Sequence, residues 1–398
     1  MKKTIRLMLI LALIFAVVIF NCNVFADDSE DDAPVLINDS QLTSTSDGQP
    51  PRIAASSAIV MDFASGRILY EKNAYIRRSI ASTTKIITAI VAIENGNFED
   101  DVTISKRSAA IGGSTVGLKQ GKTYKLKDLM YAMMLRSGND AAIAIAEHIG
   151  GSVEEFAQMM NRKAAEIGAE NTNFVTPHGL DDPQHYSTAY DLALITQYAL
   201  KNPIFAEIVS TKSSTFEGRG INNTNEMLSL YPGTDGVKTG YTGQAGRCLV
   251  TSVSLNGNRY ISVVLNCASR TQRASNSKSI LDYSFANYKN YDYLFEGQQV
   301  AQLNLHKGIK GKLNVYAGST ITLPLKDDER DRIKVDIDIP NTLEAPIKAD
   351  AKVGSIKYEL DGKILAQSYV FAKDNVSRKD FYYYFKKICK SWGKIMHT

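Results

Sequence analysis

The sequence predicts an α/β domain, built as an antiparallel sheet flanked by helices, followed by a small all-β domain and a C-terminal amphipathic helix. Three observations support this fold class. Between residues 53 and 293, segments of helical periodicity precede and follow a group of strand-like segments. Residues 294–375 contain short strands and turns with almost no helical pattern, which predicts a separate β-sandwich domain. Residues 376–398 carry apolar and basic side chains on different faces of one helix.

Two strands open the α/β domain, at residues 57–62 and 67–71, and the turn Ala64-Ser65-Gly66 joins them. Helical periodicity then marks five segments: residues 82–94, 126–135, 141–149, 153–167 and 188–200. The remaining elements are strands around Lys238, at residues 248–255 and at residues 259–267, and a closing helix at residues 277–288. Helices before and after a largely antiparallel sheet are typical of a mixed α/β domain.

The all-β domain is predicted from an alternating segment and a hairpin. The dipeptide Asp361-Gly362, between two strand-like segments, is a strong hairpin signal. Apolar residues that alternate with charged ones indicate a sheet with one face in water: Ile333, Val335, Ile337 and Ile339.

The C-terminal segment, residues 376–398, is predicted to be a helix on a membrane surface. Basic residues occupy one face, and Trp392, the only tryptophan of the chain, lies on the other. The segment is too charged to span a bilayer, and the alternative is a terminal helix packed on the protein. The apolar face comprises Phe381, Tyr384, Phe385, Ile388, Trp392 and Ile395, and the basic face Lys387, Lys390 and Lys394.

Residues 1–26 are predicted to be a signal peptide. A basic start with Lys2, Lys3 and Arg6 precedes an apolar run that is short for a membrane span, and Ala26 fits the small-residue cleavage rule. The alternative is an uncleaved anchor, and either one places the rest of the chain outside the cytoplasm. The acidic, Ser/Thr-rich residues 27–52 are predicted to form a flexible linker.

Composition and charge narrow the function classes. A chain of 398 residues is long enough for more than one domain, and its 44% hydrophobic and 22% charged residues are ordinary for a globular protein. The net charge of +4 is small and spread along the chain, so no nucleic-acid partner is predicted. No cysteine spacing suggests zinc. Cys248 and Cys267 flank a hairpin and could form a cross-strand disulfide, but two reduced, buried thiols are favoured.

The segment Ser82-Thr83-Thr84-Lys85 opens the first long helix and carries the first candidate for catalysis. A serine hydroxyl is a weak nucleophile until a neighbouring base takes its proton. Positions i and i+3 share one helical face, so Lys85 can reach Ser82. A lysine acts as a base only when it is neutral, which burial and a second nearby cation favour. Such a string occurs often by chance, so the assignment depends on two further segments.

Those segments are Ser137-Gly138-Asn139, between two helices, and Lys238-Thr239-Gly240, on a strand. In the first, a hydroxyl can relay protons and an amide can hold a substrate carbonyl. In the second, a lysine and a hydroxyl offer a site for a substrate carboxylate, and the glycine lets a substrate backbone pair along the strand edge. Taken separately, the first segment could equally be an interhelical turn and the second an ordinary edge strand.

The three segments in this order resemble the active site of penicillin-binding proteins and serine β-lactamases. Further stretches resemble the low-molecular-weight D-alanyl-D-alanine carboxypeptidases of peptidase family S11: residues 118–121, 135–141, 177–181, 186–189 and 235–242. The resemblance covers residues 55–290 and continues weakly to the C-terminal helix. It implies a β-lactamase/transpeptidase-like fold and an enzyme on the outer face of the cytoplasmic membrane.

The resemblance also implies a role for each site residue. Ser82 attacks the carbonyl between the two D-alanines that end a peptidoglycan stem peptide, and Lys85 accepts its proton. Ser137 relays the proton to the leaving D-alanine, helped by Lys238, and Asn139 orients the substrate amide. Water then hydrolyses the acyl-enzyme, and β-lactam antibiotics acylate the same serine but leave slowly.

The substrate-binding residues follow from the same resemblance. Thr239 binds the terminal carboxylate beside Gly240, and the backbone N–H groups of Ser82 and Tyr241 form the oxyanion hole. Arg270 is a weaker candidate for a second cation at the carboxylate, and a surface arginine is the alternative. No metal or other cofactor is implied.

Two nearby residues receive no catalytic role. Arg247, where a tyrosine is expected in relatives, is interpreted as a local variation without a role. His178 is interpreted as shaping the loop beside the site, since Ser-x-x-Lys chemistry needs no Ser-His-Asp triad.

Other functions remain as alternatives. A serine β-lactamase is the nearest, although residues 176–188 lack the Glu that class A enzymes use in deacylation. A transpeptidase or endopeptidase on the same scaffold is the second. A catalytically silent wall-binding or membrane-binding protein is the third, and it predicts a broken motif where all three are intact.

Overall fold

The computed structural model describes Val35 and residues 48–395. The predicted signal peptide and most of the predicted linker lie outside the described residues. The chain divides into two compact units between Ser284 and Phe285, slightly before the domain boundary predicted after residue 293.

A five-stranded antiparallel sheet forms the centre of the first unit, with the strand order β2-β1-β9-β8-β7. Two further antiparallel strand pairs, β3–β4 and β5–β6, lie outside this sheet. Strand β7 pairs with β8 along one side and is therefore an edge strand of the sheet. The strands are β1 (Ser57–Asp62), β2 (Ile68–Lys72), β3 (Asp101–Thr103), β4 (Thr123–Lys125), β5 (Ser213–Phe216), β6 (Arg219–Asn222), β7 (Thr234–Thr242), β8 (Gly246–Leu255) and β9 (Asn258–Cys267).

Helices accompany this sheet through the first unit, and the last one ends just beyond Ser284. Helix α1 is buried along most of its length, and its Ile86, Ile87 and Ile90 lie in the apolar core. The helices are α1 (Lys85–Asn95), α2 (Lys106–Ala110), α3 (Leu126–Leu135), α4 (Asn139–Gly150), α5 (Val153–Ile167), α6 (Ala189–Ala199), α7 (Pro203–Ser210), α8 (Met227–Leu230) and α9 (Arg270–Asn287).

Three helix starts differ from the sequence prediction by three residues or more. The C-terminal helix, predicted over residues 376–398, begins at Phe381, because Val376 is buried and pairs with Ile347 in the second unit. Helix α9 begins at Arg270, seven residues before the predicted start at Ser277, because its first two turns are polar and show no apolar stripe. The predicted helix at residues 82–94 begins instead as a 3-10 turn, Ala81–Thr84, and continues as α1 from Lys85. Ala81 has φ +49°, a left-handed conformation that periodicity does not reveal.

The cysteines of strands β8 and β9 are buried and form no disulfide. An irregularity in the pairing places Arg247 opposite Cys267, and Leu249 opposite Val264, so Cys248 does not face Cys267. Burial raises the pKa of the Cys267 thiol to about 11, which keeps it protonated at neutral pH.

The second unit contains a six-stranded sheet, order β14-β16-β17-β12-β11-β15, and a two-stranded sheet, β10–β13. Val315, Leu323 and Val370 belong to its apolar core. Asp361 and Gly362 have φ +51° and +82°, as a tight turn between β16 and β17 requires. The strands are β10 (Lys289–Leu294), β11 (Gln299–His306), β12 (Lys312–Ala317), β13 (Ile321–Leu325), β14 (Lys334–Asp338), β15 (Thr342–Glu344), β16 (Lys352–Leu360) and β17 (Lys363–Ala372).

Helix α10 (Phe381–Ile395) ends the described part of the chain. Its aromatic face is open to solvent, with Phe381 83% and Trp392 70% exposed. None of the helices in the described residues has both the length and the apolar composition that a membrane crossing requires.

Candidate active site

Ser82 and Lys85 meet at the start of α1, and the contact is buried. The Lys85 side chain is fully buried, and its Nζ lies 2.9 Å from Ser82 Oγ. The same Nζ donates to Asn139 Oδ1 at 2.8 Å and to the backbone carbonyl oxygen of His178 at 2.9 Å. A neutral lysine amine has two N–H donors and one lone pair. Because the amide and carbonyl oxygens can only accept, a neutral Lys85 can donate to both and accept the Ser82 proton.

The 3-10 turn that carries Ser82 is held by hydrogen bonds at its base. Thr84 Oγ1 donates to the Ala81 carbonyl at 2.8 Å and accepts from His185 Nε2, also at 2.8 Å. The direction of the second bond follows from the other ring nitrogen, since His185 Nδ1 accepts from the Val175 N–H at 3.1 Å. Burial lowers the pKa of His185 to about 4, so the imidazole is neutral at neutral pH.

The loop at residues 176–181 packs closely against the same turn. Gly179 has φ +87°, and a Cβ there would lie 2.0 Å from the Ala81 carbonyl oxygen, so only glycine fits. His178 contributes its backbone carbonyl to Lys85, and burial holds the pKa of its imidazole well below the ordinary value. At the end of the loop, Asp181 Oδ1 accepts from Thr242 Oγ1 at 2.6 Å and ties the loop to β7.

The second polar segment lies between α3 and α4. Ser137 has φ +60° and is fully buried, and its Oγ has no hydrogen-bond partner among the residues described. Such an unpaired buried hydroxyl suits a group that exchanges protons with a substrate. Asn139 is fixed by its neighbours: its backbone N–H donates to Ser114 O at 2.8 Å, and its Nδ2 donates to Gly112 O at 2.9 Å.

The third polar segment lies on edge strand β7. Lys238 is buried, and its Nζ donates to the Thr239 carbonyl at 3.0 Å. A Cβ on Gly240 would lie 2.9 Å from the backbone nitrogen of Ser82, so the glycine allows the strand to pass directly beside the nucleophile. The hydroxyls of Thr239 and Thr224 lie 2.8 Å apart.

Tyr241 lies on β7 itself, and Arg247 lies opposite it on β8. Tyr241 is half-buried, and the buried Arg247 guanidinium stacks 3.8 Å above its ring. Arg247 therefore has a packing contact with a predicted site residue, where sequence reasoning assigned it no role. Arg270 is half-buried at the first position of α9, and its place at a substrate carboxylate stays a prediction.

Lys85 contacts both Ser82 and Asn139, so it links the first polar segment to the second. Gly240 allows the third segment to pass directly beside Ser82 in the first. Sequence reasoning missed the contacts of the His178 carbonyl, of Thr84 with His185 and of Thr224 with Thr239. It also missed Asp140, whose carboxylate accepts from the Leu118 N–H at 3.0 Å. Backbone carbonyls carry no signal in a sequence. The polar run Asn223-Thr224-Asn225 is a signal that could have marked Thr224. Within the described residues, no cluster of three or more His, Cys, Asp or Glu side chains could hold a metal ion.

Comparison with known proteins gives the class of enzyme. Residues 43–269 match the family model of D-alanyl-D-alanine carboxypeptidase, and residues 288–378 match that of the penicillin-binding protein 5 C-terminal domain. D-alanyl-D-alanine carboxypeptidase DacF of Bacillus subtilis is 34% identical over 86% of this chain and 90% of its own length. D-alanyl-D-alanine carboxypeptidase DacA of Haemophilus influenzae is 34% identical over 80% and 84%.

Solved structures agree with these relatives. The crystal structure of penicillin-binding protein 5 from Haemophilus influenzae has a TM-score of 0.75 at 32% identity, over 83% of this chain and 99% of that one. A mutant of the Streptomyces K15 DD-transpeptidase has a TM-score of 0.58 at 36% identity, over 59% and 99%.

The chain belongs to the D-alanyl-D-alanine carboxypeptidase family, the low-molecular-weight penicillin-binding proteins. This confirms the predicted fold class and the predicted enzyme class, a serine-type carboxypeptidase of cell-wall metabolism.

Proposed function

We propose that Ser82 is the nucleophile by which this carboxypeptidase removes the terminal D-alanine from peptidoglycan stem pentapeptides. The observation that carries the proposal is the buried contact of 2.9 Å between Lys85 Nζ and Ser82 Oγ. Ser82 Oγ attacks the carbonyl carbon of the penultimate D-alanine while its proton passes to neutral Lys85. Asn139 Oδ1 and the His178 carbonyl hold the amine in place while it accepts the proton.

The tetrahedral intermediate then loses D-alanine. The backbone N–H groups of Ser82 and Tyr241 stabilise its oxyanion, an effect worth about 3 kcal/mol per donor in such sites. The Ser137 hydroxyl, buried and unpaired among the described side chains, passes its proton to the leaving nitrogen and takes up the proton that Lys85 holds, which returns Lys85 to its neutral form. Lys238 supports this transfer as a buried cation on the neighbouring strand.

Substrate binding uses the edge of β7. The substrate backbone pairs along this edge, where Gly240 leaves room beside Ser82. Asn139 Nδ2 has a second N–H that can donate to the substrate amide carbonyl, since the first donates to Gly112 O. Thr239 Oγ1 donates to the terminal carboxylate, with Arg270 as a second cation.

Water hydrolyses the acyl-enzyme and restores Ser82, with Lys85 acting as the base for the water proton. A β-lactam acylates Ser82 in the same way, but its leaving group stays attached to the acyl chain, so deacylation is slow. Family membership is consistent with both peptidoglycan and β-lactams as ligands.

Release of free D-alanine from a peptide ending in D-Ala-D-Ala tests this proposal. The mature protein should release it, and Ser82→Ala should reduce release to the background of the assay. Ser210→Ala, at the exposed end of α7, is the matched control and should keep wild-type activity. Release by Ser82→Ala would contradict the assignment of the nucleophile. Adding an amine acceptor distinguishes hydrolysis from transpeptidation, because only a transpeptidase joins the acyl group to the amine.

We also propose where the enzyme acts. A signal peptide at residues 1–26 exports it, and the linker at residues 27–52 leads to a catalytic domain at residues 53–293. A β-sandwich domain at residues 294–375 follows, and residues 376–398 attach the protein to the outer face of the cytoplasmic membrane. The exposed aromatic face of α10 supports this attachment.

A further inference from the structure

A buried threonine outside the three polar segments is bonded to one of them and to the helix that precedes another. Thr224 is 6% exposed, and its Oγ1 lies 2.8 Å from Oγ1 of Thr239 on strand β7. Its backbone N–H donates at 3.0 Å to the carbonyl of Leu135, which ends α3 two residues before Ser137. Thr224 therefore joins the strand at the proposed carboxylate site to the end of α3, the helix that precedes the segment with the proposed proton relay.

The residues around Thr224 hold its backbone firmly in place. Asn223 Nδ2 donates to the Thr211 carbonyl at 3.0 Å. Asn225 Oδ1 accepts from the Met227 N–H at 3.2 Å, which fixes the entry to α8. Glu226 forms a two-bond ion pair with the fully buried Arg273, at 2.9 and 2.8 Å. Three of these four consecutive residues are thus bonded to distant parts of the domain, so the Thr224 hydroxyl has little freedom to move.

Counting protons sets the direction of the bond between the two threonines. A threonine hydroxyl has one proton to donate and two lone pairs that accept. If Thr239 donates to Thr224, its single proton is used and the hydroxyl can only accept. A carboxylate can also only accept, so the two oxygens would repel each other. If Thr224 donates instead, the Thr239 proton is available for the carboxylate.

We propose that Thr224 is a positioning residue for substrate binding, whose hydroxyl donates to Thr239 and thereby directs the Thr239 proton toward the substrate carboxylate. This inference rests on the proposed function, in which Thr239 binds that carboxylate. Thr224 acts only through Thr239 and does not touch the substrate itself.

Two thioester substrates with the same acyl group separate carboxylate recognition from chemistry. Both carry an acyl-D-alanyl group and leave the same acyl-enzyme on Ser82 as the C–S bond breaks. One leaves as thioglycolate, which bears a carboxylate, and the other as ethanethiol, which has none. The ratio of their kcat/KM values, measured from the thiol released, therefore reports recognition of the carboxylate.

We expect Thr224→Val to lower this ratio about three- to tenfold, because the lost hydrogen bond is worth about 1 kcal/mol. Thr224→Ser keeps the hydroxyl and should restore the ratio. The matched control is Thr103→Val, which breaks a similar contact between two threonine hydroxyls, since Thr103 Oγ1 on β3 lies 3.2 Å from Thr123 Oγ1 on β4. It should leave the ratio at the wild-type value.

A double-mutant comparison tests whether Thr224 acts through Thr239. Thr239→Val should lower the ratio at least as much, and adding Thr224→Val should lower it no further. If Thr224→Val impairs folding, Thr224→Ala serves in the same comparison. A wild-type ratio in Thr224→Val, or in Thr224→Ala where that variant replaces it, together with a lowered ratio in Thr239→Val would overturn the inference. The carboxylate site would then remain. A wild-type ratio in Thr239→Val would overturn the carboxylate site and the inference together.

Discussion

Two buried histidines, His178 and His185, contact the segment that carries Ser82. Their burial makes the free energy of unfolding depend on pH. The pKa of His185 is about 4, below the ordinary value of 6.5, mainly through desolvation, and burial lowers the pKa of His178 in the same direction. Between pH 6.5 and 4 the unfolded chain binds a proton at His185 that the folded protein does not. The free energy of unfolding must therefore fall as the pH falls through this window, by up to about 3 kcal/mol for His185.

Replacing His185 with asparagine should flatten this dependence. Asparagine cannot ionise, and its Oδ1 can still accept from the Val175 N–H that His185 Nδ1 accepts in the wild type. The free energy of unfolding is measured by urea denaturation between pH 6.5 and 4. We expect its slope against pH to decrease by the amount that corresponds to one bound proton. The remaining slope includes the contribution of His178. Parallel curves for the two proteins would show that His185 is not the residue that titrates.

The sequence was sufficient for the residues whose partner is local and insufficient for those whose partner is distant. Lys85 and Ser82 are three positions apart at a helix start, so their spacing alone brings them together. The contacts of Lys85 with Asn139 and the His178 carbonyl span 54 and 93 positions. Long-range packing sets such distances, and the Thr224–Thr239 bond depends on the path of a loop that has no periodicity.

At the scale of elements, a single carboxylate organises the loop beside the second polar segment. Asp140 Oδ2 accepts from the backbone N–H groups of Val116, Gly117 and Leu118 at 3.1, 2.9 and 3.0 Å. Carbonyls of the preceding residues in the same loop, at Gly112 and Ser114, hold the neighbouring Asn139. The carboxylate therefore positions Asn139 indirectly, by fixing the loop that contacts it.

Asp140→Asn should disrupt this loop although it is nearly the same size. The amide has one NH₂ group where the carboxylate has an accepting oxygen, and both oxygens of Asp140 accept from backbone N–H groups. We expect a loss of about 1–3 kcal/mol in the free energy of unfolding and a lower kcat/KM.

Asp128→Asn is the matched control, because Asp128 is exposed in the first turn of α3. It should retain wild-type stability and kcat/KM. Wild-type values for Asp140→Asn in both measurements would show that the carboxylate does not organise the site.

Elements with a strong local signal were predicted well. The turn Asp361-Gly362 and helices α3 and α5 appear where turn chemistry and apolar periodicity placed them. The start of α9 was missed because a polar, partly exposed first segment has no apolar stripe. The 3-10 turn at Ala81–Thr84 was missed because Gly179 and His185, far along the chain, determine it.

At the scale of the whole molecule, two apolar cores serve different purposes. The core of the first unit supports the catalytic residues, since α1 carries Lys85 and buries Ile86, Ile87 and Ile90 in that core. The core of the second unit supports a sheet that contains none of the proposed catalytic residues. The family models match the two parts separately, at residues 43–269 and 288–378.

The proposed attachment to the membrane is a property of the whole chain, and its only tryptophan offers a direct measurement. Trp392 is 70% exposed on the apolar face of α10, beside Phe385 and Ile388, which are each 53% exposed. On binding to vesicles this face should leave water and enter the lipid interface. We expect the tryptophan emission of the mature protein to shift to shorter wavelength with vesicles of anionic phospholipid, and brominated acyl chains to quench it.

Deleting residues 381–398 should abolish sedimentation with the same vesicles and leave D-alanine release from a soluble peptide intact, because this deletion spares the buried Val376 and removes no proposed catalytic residue. Vesicles of neutral phosphatidylcholine provide the control for charge. They should bind the mature protein more weakly, since the opposite face carries Lys386, Lys387 and Lys390. An unchanged emission spectrum with anionic vesicles, or sedimentation of the truncated protein, would show that α10 is not the anchor.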